Sequence, residues 1–246
     1  MTIERNYAMT TTTQNFTVRR AEDRGRTELA WLHGRHSFSF GRYYDPNNLG
    51  YRSLRVINDD IVEPSSGFGE HGHDNMEILT WVLEGRLHHR DSTGSDGDLR
   101  PGELQAMTAG RGIRHSEVND SQTDRVHLLQ IWIEPDTLNL KPSYGQKTFA
   151  AEARQAKWQT LASPDGRDGS MRIHQDAILQ ATDLSKGQSN SLELATGRHA
   201  YVHVAFGAVR VGDVTLKSGD AITFSGPEHL TFAAEDASQI MYFDLA

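Results

Sequence analysis

The chain has 246 residues, which fits one large β domain or two domains of ordinary size. Its net charge of -8, with histidine neutral, argues against broad nucleic-acid binding, and the lack of cysteine excludes disulfides and thiolate zinc sites. The first residues show no apolar secretory segment, and no run approaches the ~20 apolar residues that span a bilayer. We therefore expect a soluble, cytoplasmic protein.

In chain order, the sequence predicts a disordered Thr-rich tail over residues 1–14, followed by short strands between turn residues. Helical periodicity is weak, and the best helix candidates are Ala21–His33 and Ala150–Thr160. Short, regularly spaced strands are typical of an all-β sandwich or barrel. The predicted strands contain the apolar runs Leu54–Ile57, Ile78–Leu83, Leu104–Met107, Val126–Ile133, Tyr201–Phe206, Val209–Val211, Ala221–Phe224 and Ile240–Phe243.

The pattern of the first half recurs in the second. A strand ends at Gly85, and a hairpin and the segment Pro101–Met107 follow it. Another strand ends at Gly207, and a hairpin and the similar segment Lys217–Phe224 follow. We interpret this as two copies of one small barrel, joined near Pro135–Ser143. The alternative is that any all-β chain contains such hairpins.

Two pairs of potential metal ligands stand on either side of a predicted hairpin. His71 and His73 lie in GEHGHDNME, and His115 and Glu117 lie in GIRHSE. In extended chain, residues i and i+2 face the same way, so three imidazoles and one carboxylate would converge inside a barrel. Such a set suits Fe, Ni, Cu or Zn and leaves positions open for other ligands. The alternative is a buried His–Glu hydrogen-bond network without metal.

A family resemblance rests on GFGEHGHDNMEILTWVLEG, AGRGIRHSE, the stretch RHSFSFGRYYDPNNLGYRSLRVINDD at 35–60 and LQIWI at 129–133. These resemble the pirin family of the cupin superfamily, especially bacterial members described as quercetin 2,3-dioxygenases. The resemblance covers about residues 15–246. It implies an all-β bicupin of two tandem cupin (double-stranded β-helix) barrels. The resemblance predicts a metal-binding N-terminal domain over 15–138 and a degenerate C-terminal domain without metal over 139–246.

The resemblance also implies one divalent transition metal per chain, Fe(II) first, with Ni, Cu, Mn, Co and Zn as alternatives. Its ligands would be His71, His73, His115 and Glu117. Glu77 fits the spacing at which the general cupin pattern places a carboxylate ligand. Because pirins take the carboxylate two residues after the third histidine, we expect Glu77 to orient an imidazole or to act as a base on a phenolic substrate.

Aligning the two halves on Gly85 and Gly207 leaves one imidazole in the second half. The residues at or near the four ligand positions there are Glu193, Ala195, His229 and Thr231. We therefore expect no metal in the C-terminal domain. In the first half, His88 and His89 are adjacent and should face opposite sides of a strand, so they cannot chelate together.

The resemblance implies a metal-dependent dioxygenase that opens the heterocycle of a flavonol such as quercetin, with a phenolic or enol substrate and dioxygen as its ligands. The alternative is a regulatory module that binds a transcription factor or a metabolic enzyme, with the metal as a redox switch. The acidic balance suits such a protein partner with a basic surface. A third hypothesis is a non-oxidative cupin enzyme such as an isomerase. We expect no direct nucleic-acid or membrane partner.

Overall fold

The structure is a computed structural model that describes residues 15–246, and it is nearly all β. The predicted disordered tail, residues 1–14, lies outside the described residues. Within 15–246 the helical segments are one turn of α-helix, α1 (Ala151–Arg154), and two 3-10 turns, Ala21–Asp23 and Arg167–Gly169. In the described part of the chain, no helix has the length and apolar character needed to cross a membrane.

The described residues contain 22 strands. Those of the first half are β1 (Thr17–Arg19), β2 (Gly25–Glu28), β3 (Leu32–His36), β4 (Leu54–Val62), β5 (Ser66–His73), β6 (Glu77–Glu84), β7 (Leu87–Asp91), β8 (Asp96–Leu99), β9 (Glu103–Thr108), β10 (Ile113–Asn119) and β11 (Val126–Ile133). Those of the second half are β12 (Ser143–Thr148), β13 (Gln159–Ser163), β14 (Met171–Arg172), β15 (Ala177–Leu184), β16 (Ser189–Leu194), β17 (His199–Phe206), β18 (Ala208–Val211), β19 (Val214–Lys217), β20 (Ala221–Ser225), β21 (Glu228–Ala234) and β22 (Ser238–Leu245).

The strands build two barrels, each from a seven-stranded and a four-stranded sheet. The first barrel has the strand orders β12-β9-β6-β11-β4-β3-β2 and β5-β10-β7-β8. The second has the orders β1-β20-β17-β22-β15-β13-β14 and β16-β21-β18-β19. Except at the outer edge, where β2 pairs antiparallel with β3 and β14 pairs parallel with β13, the two barrels use corresponding strands position by position. The topology thus confirms the predicted duplication.

Strands β1 and β12 cross between the halves. β1 pairs with β20 of the second barrel, and β12 pairs with β9 of the first. The two strands hold equivalent edge positions, so each barrel takes one edge strand from the other half of the chain. The predicted domain limits, 15–138 and 139–246, differ from the strand pairing at these two places.

The glycines that end the equivalent strands β6 and β17 explain the recurring sequence pattern. Gly85 and Gly207 have φ angles of +80° and +89°, a region that L side chains rarely adopt. A Cβ at Gly85 would also collide with the backbone carbonyl of Arg125, and one at Gly207 would collide with that of Ala237. Both barrels therefore need glycine directly after these equivalent strands, β6 and β17.

An apolar core lies between the two barrels. Leu79 and Trp81 of β6 and Ile131 of β11 pack there with Tyr201 and Phe243 of the second barrel. Because side chains alternate along a strand, the intervening residues of β6 enter the first barrel instead. Strand β6 is buried on both faces, which explains its nearly unbroken apolar sequence.

All eight apolar runs predicted as strands lie in strands, namely in β4, β6, β9, β11, β17, β18, β20 and β22. The predicted helix over Ala21–His33 is wrong. After the 3-10 turn this segment forms β2 and β3. The apolar residues 29–32 form the turn of this hairpin, in which the amide of Leu29 donates to the carbonyl of Leu32. Of the second predicted helix, Ala150–Thr160, α1 alone is helical.

Candidate metal centre

The three predicted histidine ligands meet inside the first barrel. His71 of β5 stands opposite His115 of β10 in the antiparallel register, and His73 follows two residues later. One ring nitrogen from each histidine lies within 4.8 Å of those of the other two. The strand alternation on which the prediction rested therefore brings these imidazoles together.

The spacing of the ring nitrogens fits a divalent metal. Nε2 of His73 lies 3.0 Å from Nε2 of His115. Two ligand atoms at right angles, each about 2.1 Å from one ion, are themselves roughly 3.0 Å apart. Nδ1 of His71 lies 2.8 Å from the carbonyl of Gly69, and a proton held there leaves the Nε2 lone pair free for a metal.

Burial keeps two of the imidazoles neutral. His115 is 1% exposed and His73 is half-buried. Burial, followed by the neighbouring imidazoles, lowers the pKa of His73 to about 4 and that of His115 to about 3. Neutral imidazole is the form that binds a metal, so both rings are ready to do so at neutral pH.

We expect metal binding by His73 and His115 to be insensitive to pH until the solution becomes strongly acidic. Since each pKa is lowered from 6.5, protons should not compete with the metal for His73 and His115 between pH 7 and about 5, and competition should set in toward pH 4. Metal content after equilibration at pH 7, 6, 5 and 4 checks this. Loss of half of the metal already at pH 6 would show that the rings protonate like exposed histidines.

Glu117 is held by a row of polar side chains from neighbouring strands. It is 2% exposed, and Nε2 of Gln130 donates to its Oε2 at 2.7 Å. Nε2 of Gln105 donates to Oε1 at 3.3 Å, and the hydroxyl of Thr80 lies 3.2 Å from the same oxygen. Thr80 is paired in register with both glutamines. These contacts fix the orientation of the carboxylate beside His115.

The fourth predicted ligand groups with a different histidine. A carboxylate oxygen of Glu117 lies within 4.8 Å of ring nitrogens of His115 and His89. In the described residues Glu117 does not group in this way with His71 and His73. The structure thus brings the three predicted histidine ligands together. It places Glu117 next to His115, the histidine that belongs to both groups.

Glu77 lies on the other face of β6. Thr80 points toward Glu117. Glu77 lies three residues before Thr80, so its side chain is on the opposite face of the strand and faces the second barrel. The hydroxyl of Thr108 donates to its Oε2 at 3.0 Å, and Nδ1 of His174 lies 3.4 Å from its Oε1. Burial raises the pKa of Glu77, and the contacts with Thr108 and His174 offset only part of this rise. Contrary to the expected orienting or base role, the structure does not bring Glu77 to the imidazoles.

His89 is a site residue that the ligand pattern does not reveal. His88 and His89 face opposite sides of β7, as predicted, and His89 is fully buried beside His115, with ring centroids 5.4 Å apart. Its Nε2 lies 3.0 Å from Oδ2 of Asp91, and its ring stacks on Tyr144 at 4.6 Å. The available signal was the alternation of β7, which puts His89 on the buried face.

A cavity of about 170 Å³ lies beside His71 and His73. Three aromatic residues line it, Phe40, Phe68 and Trp132, and the Trp132 ring lies 4.9 Å from that of His73. Its other lining residues are Thr27, Leu32, His36, Gly41, Asn58, Asp60, Glu117 and Gln130.

The second barrel replaces the polar row with apolar and aromatic residues. Val202 pairs with Ile222 and Tyr242, as Thr80 pairs with Gln105 and Gln130 in the first barrel. Glu193 stands opposite His229, which repeats the pairing of His71 and His115. The side chains that would hold a ligating carboxylate are therefore missing from the equivalent positions.

We expect one equivalent of transition metal per chain. The imidazole cluster lies in the first barrel, and its counterpart in the second has a single histidine, His229, which is exposed. Elemental analysis of protein purified without chelator, with protein concentration from amino-acid analysis, gives the ratio. A ratio near two would contradict the assignment, and substitution of His229 would then show whether the second barrel binds.

The family model for pirin matches residues 17–133, and that for the quercetinase C-terminal cupin domain matches residues 160–245. A protein named quercetin 2,3-dioxygenase from Escherichia coli strain K12 is 43% identical over 93% of this chain and 97% of its own length. A putative quercetin 2,3-dioxygenase of Mycobacterium tuberculosis is 42% identical over 93% of this chain and 94% of its own.

Solved structures agree with these matches. The crystal structure of YhhW from E. coli has a TM-score of 0.89 and 42% identity, and the match covers 94% of this chain and 97% of that one. The crystal structure of the bacterial pirin YhhW in complex with nickel(II) has a TM-score of 0.88, with 94% and 98% covered. The predicted bicupin fold and the likeness to quercetin 2,3-dioxygenase-like proteins are confirmed. With this identity over nearly its whole length, the chain belongs to the pirin family.

Proposed function

We propose that the protein is a dioxygenase that opens the heterocycle of a flavonol such as quercetin. The reaction would take place at one divalent metal held by His71, His73, His115 and Glu117. The observation that carries this proposal is the convergence of three imidazoles at the wall of a cavity lined by aromatic side chains. The names of the relatives support the flavonol as substrate.

Fe(II) is the metal we propose, with Ni(II) as the alternative because a related pirin was solved with nickel. Nitrogen and oxygen ligands suit both ions, and an ion held by four protein ligands would still be open to a substrate oxygen and dioxygen. When bound, the ion would stabilise a deprotonated substrate oxygen and activate the ring toward dioxygen.

The residues of the chain would then bind, orient and exclude water. Phe40, Phe68 and Trp132 give the cavity flat apolar walls that fit an aromatic ring system. The Trp132 ring packs nearly perpendicular to that of His73 and restrains that imidazole. Gln130 fixes the Glu117 carboxylate through its 2.7 Å hydrogen bond. These walls favour an aromatic substrate whose oxygen-bearing edge faces the histidines.

Oxygen uptake on a flavonol panel, with metal analysis of the same sample, tests the proposal. Protein loaded anaerobically with Fe(II) or Ni(II) should consume oxygen with quercetin and yield a ring-opened product. Protein stripped by a chelator and protein given catechol, which lacks the heterocycle, are the controls. A fully metal-loaded protein that turns over no flavonol would contradict the dioxygenase and favour the regulatory binding module.

A further inference from the structure

Asp60 is a carboxyl group in the cavity wall that the metal centre does not use. It lies on β4, two residues beyond Asn58 and on the same face, and it is 4% exposed. Its neighbours across the sheet are Leu128 of β11 and Gly34 of β3. The strand register thus places Asp60 one step beyond the polar row that holds Glu117.

Within the described chain, Asp60 and Trp132 each place a buried polar atom without a hydrogen-bond partner in this wall, whereas the neighbouring His36 and Asn58 are paired. Nδ1 of His36 lies 2.8 Å from Oδ1 of Asn58, and its Nε2 lies 2.8 Å from the Thr27 hydroxyl. Oδ1 of Asp60, in contrast, is buried and has no hydrogen-bond partner among the described residues. A buried polar atom without a partner is costly, and native proteins rarely keep one without a use.

The fold makes room for this carboxyl group. A Cβ at Gly34 would lie 2.7 Å from Oδ1 of Asp60, so the opposite strand needs glycine there. The nearby cation, Arg24, pairs through Nη2 with Oδ2 of Asp59 at 3.0 Å, on the face of β4 opposite Asp60. No lysine or arginine is among the described residues that line the cavity, so Asp60 has no counter-ion in this wall.

The protonation state of Asp60 suits a hydrogen-bonding role. Burial, then the neighbouring carboxylates of Asp59 and Glu117, raises the pKa of Asp60 to about 8. A neutral carboxyl group both donates and accepts hydrogen bonds, so it can pair with a hydroxyl group that acts as donor or as acceptor.

We propose that Asp60 binds the substrate by hydrogen-bonding a ring hydroxyl of the flavonol, at a point separate from the oxygen that faces the histidines. The inference rests on the proposed function and adds a specificity rule to it. The cavity would prefer flavonols that carry further ring hydroxyls over the unsubstituted 3-hydroxyflavone, because the second compound leaves Asp60 unpaired.

Equilibrium binding of two ligands tests this rule. Nickel-loaded wild type and Asp60→Leu are titrated without oxygen with quercetin and with 3-hydroxyflavone. Since one hydrogen bond is lost, Asp60→Leu should weaken quercetin binding roughly 5- to 10-fold and change 3-hydroxyflavone binding less than about twofold. Asp60→Asn, which keeps a donor and an acceptor, should stay within about twofold of wild type for both ligands.

Nickel content and thermal unfolding of each variant are measured alongside, and Asp60→Ala repeats the contrast if the leucine variant does not fold. Equal effects on both ligands, or none, overturn the role of Asp60, and a wild type that binds neither flavonol overturns it as well. Oxygen uptake by the wild type is scored separately. A protein that shows the binding contrast but consumes no oxygen contradicts the dioxygenase while Asp60 keeps its role.

Discussion

His115→Ala is expected to remove most of the metal and, with it, any flavonol-dependent oxygen uptake. His115 is the histidine shared by both groups of potential ligands, and its Nε2 lies 3.0 Å from that of His73. Loss of a residue that merely supports a ligand typically costs about 10- to 100-fold in metal affinity. Loss of a ligand itself should cost more than this, which would leave little metal after dialysis.

The second barrel supplies a matched control for this substitution. His229 occupies the counterpart of the His115 position, stands opposite Glu193 and is exposed. His229→Ala should leave metal content, oxygen uptake and thermal stability close to those of wild type. If His115→Ala kept a full equivalent of metal through dialysis against chelator, the proposed ligand set would be wrong.

The histidine cluster was predictable because the alternation within each pair of ligands is local. His71 and His73 follow the period of a strand, and so do His115 and Glu117. Four strands, β6 to β9, separate the two pairs along the chain, and the pairing of β5 with β10 puts His71 and His115 directly opposite each other. The alternation within each pair is therefore local, whereas the meeting of the two pairs depends on the fold.

The support of Glu117 was not predictable in the same way. Thr80, Gln105 and Gln130 are the single polar residues of the segments Ile78–Leu83, Leu104–Met107 and Leu128–Ile133, and such a residue alone has no distinctive meaning. They become one row only through the register of β6, β9 and β11, which depends on long-range pairing. Asp60 is similar, because the room for its carboxyl group depends on Gly34 in β3.

The wrong helix has a related cause. The segment Ala21–His33 contains good helix formers around its apolar cluster, and local propensity favours a helix there. In the structure its two strands extend the sheet beside β4, and Arg24 forms a buried ion pair with Asp59. Tertiary pairing thus overrides the local preference. Glu77 shows the same limit, since its spacing fits a ligand while its strand face turns it toward the second barrel.

The two faces of β6 have separate functions, and Trp81 is the clearest member of the face that joins the barrels. It is 1% exposed, and its Nε1 donates to Oε1 of Gln239 in the second barrel at 2.8 Å. The guanidinium of Arg154 lies 5.5 Å from its ring centroid. Thr80, the preceding residue, points into the first barrel and contacts Glu117.

Trp81→Ala is therefore expected to destabilise the fold by about 3–5 kcal/mol, the usual cost of truncating a buried tryptophan. Trp81→Phe should lose less stability, since it keeps an aromatic ring and loses only part of the packing together with the hydrogen bond to Gln239. Urea unfolding followed by circular dichroism measures both, and Trp158→Ala, at a half-buried site in the second barrel, is the control with a smaller expected loss. Because Trp81 faces away from the metal centre, folded Trp81→Ala should still bind one metal. A variant that stays folded but loses its metal would show that the two faces of β6 are coupled.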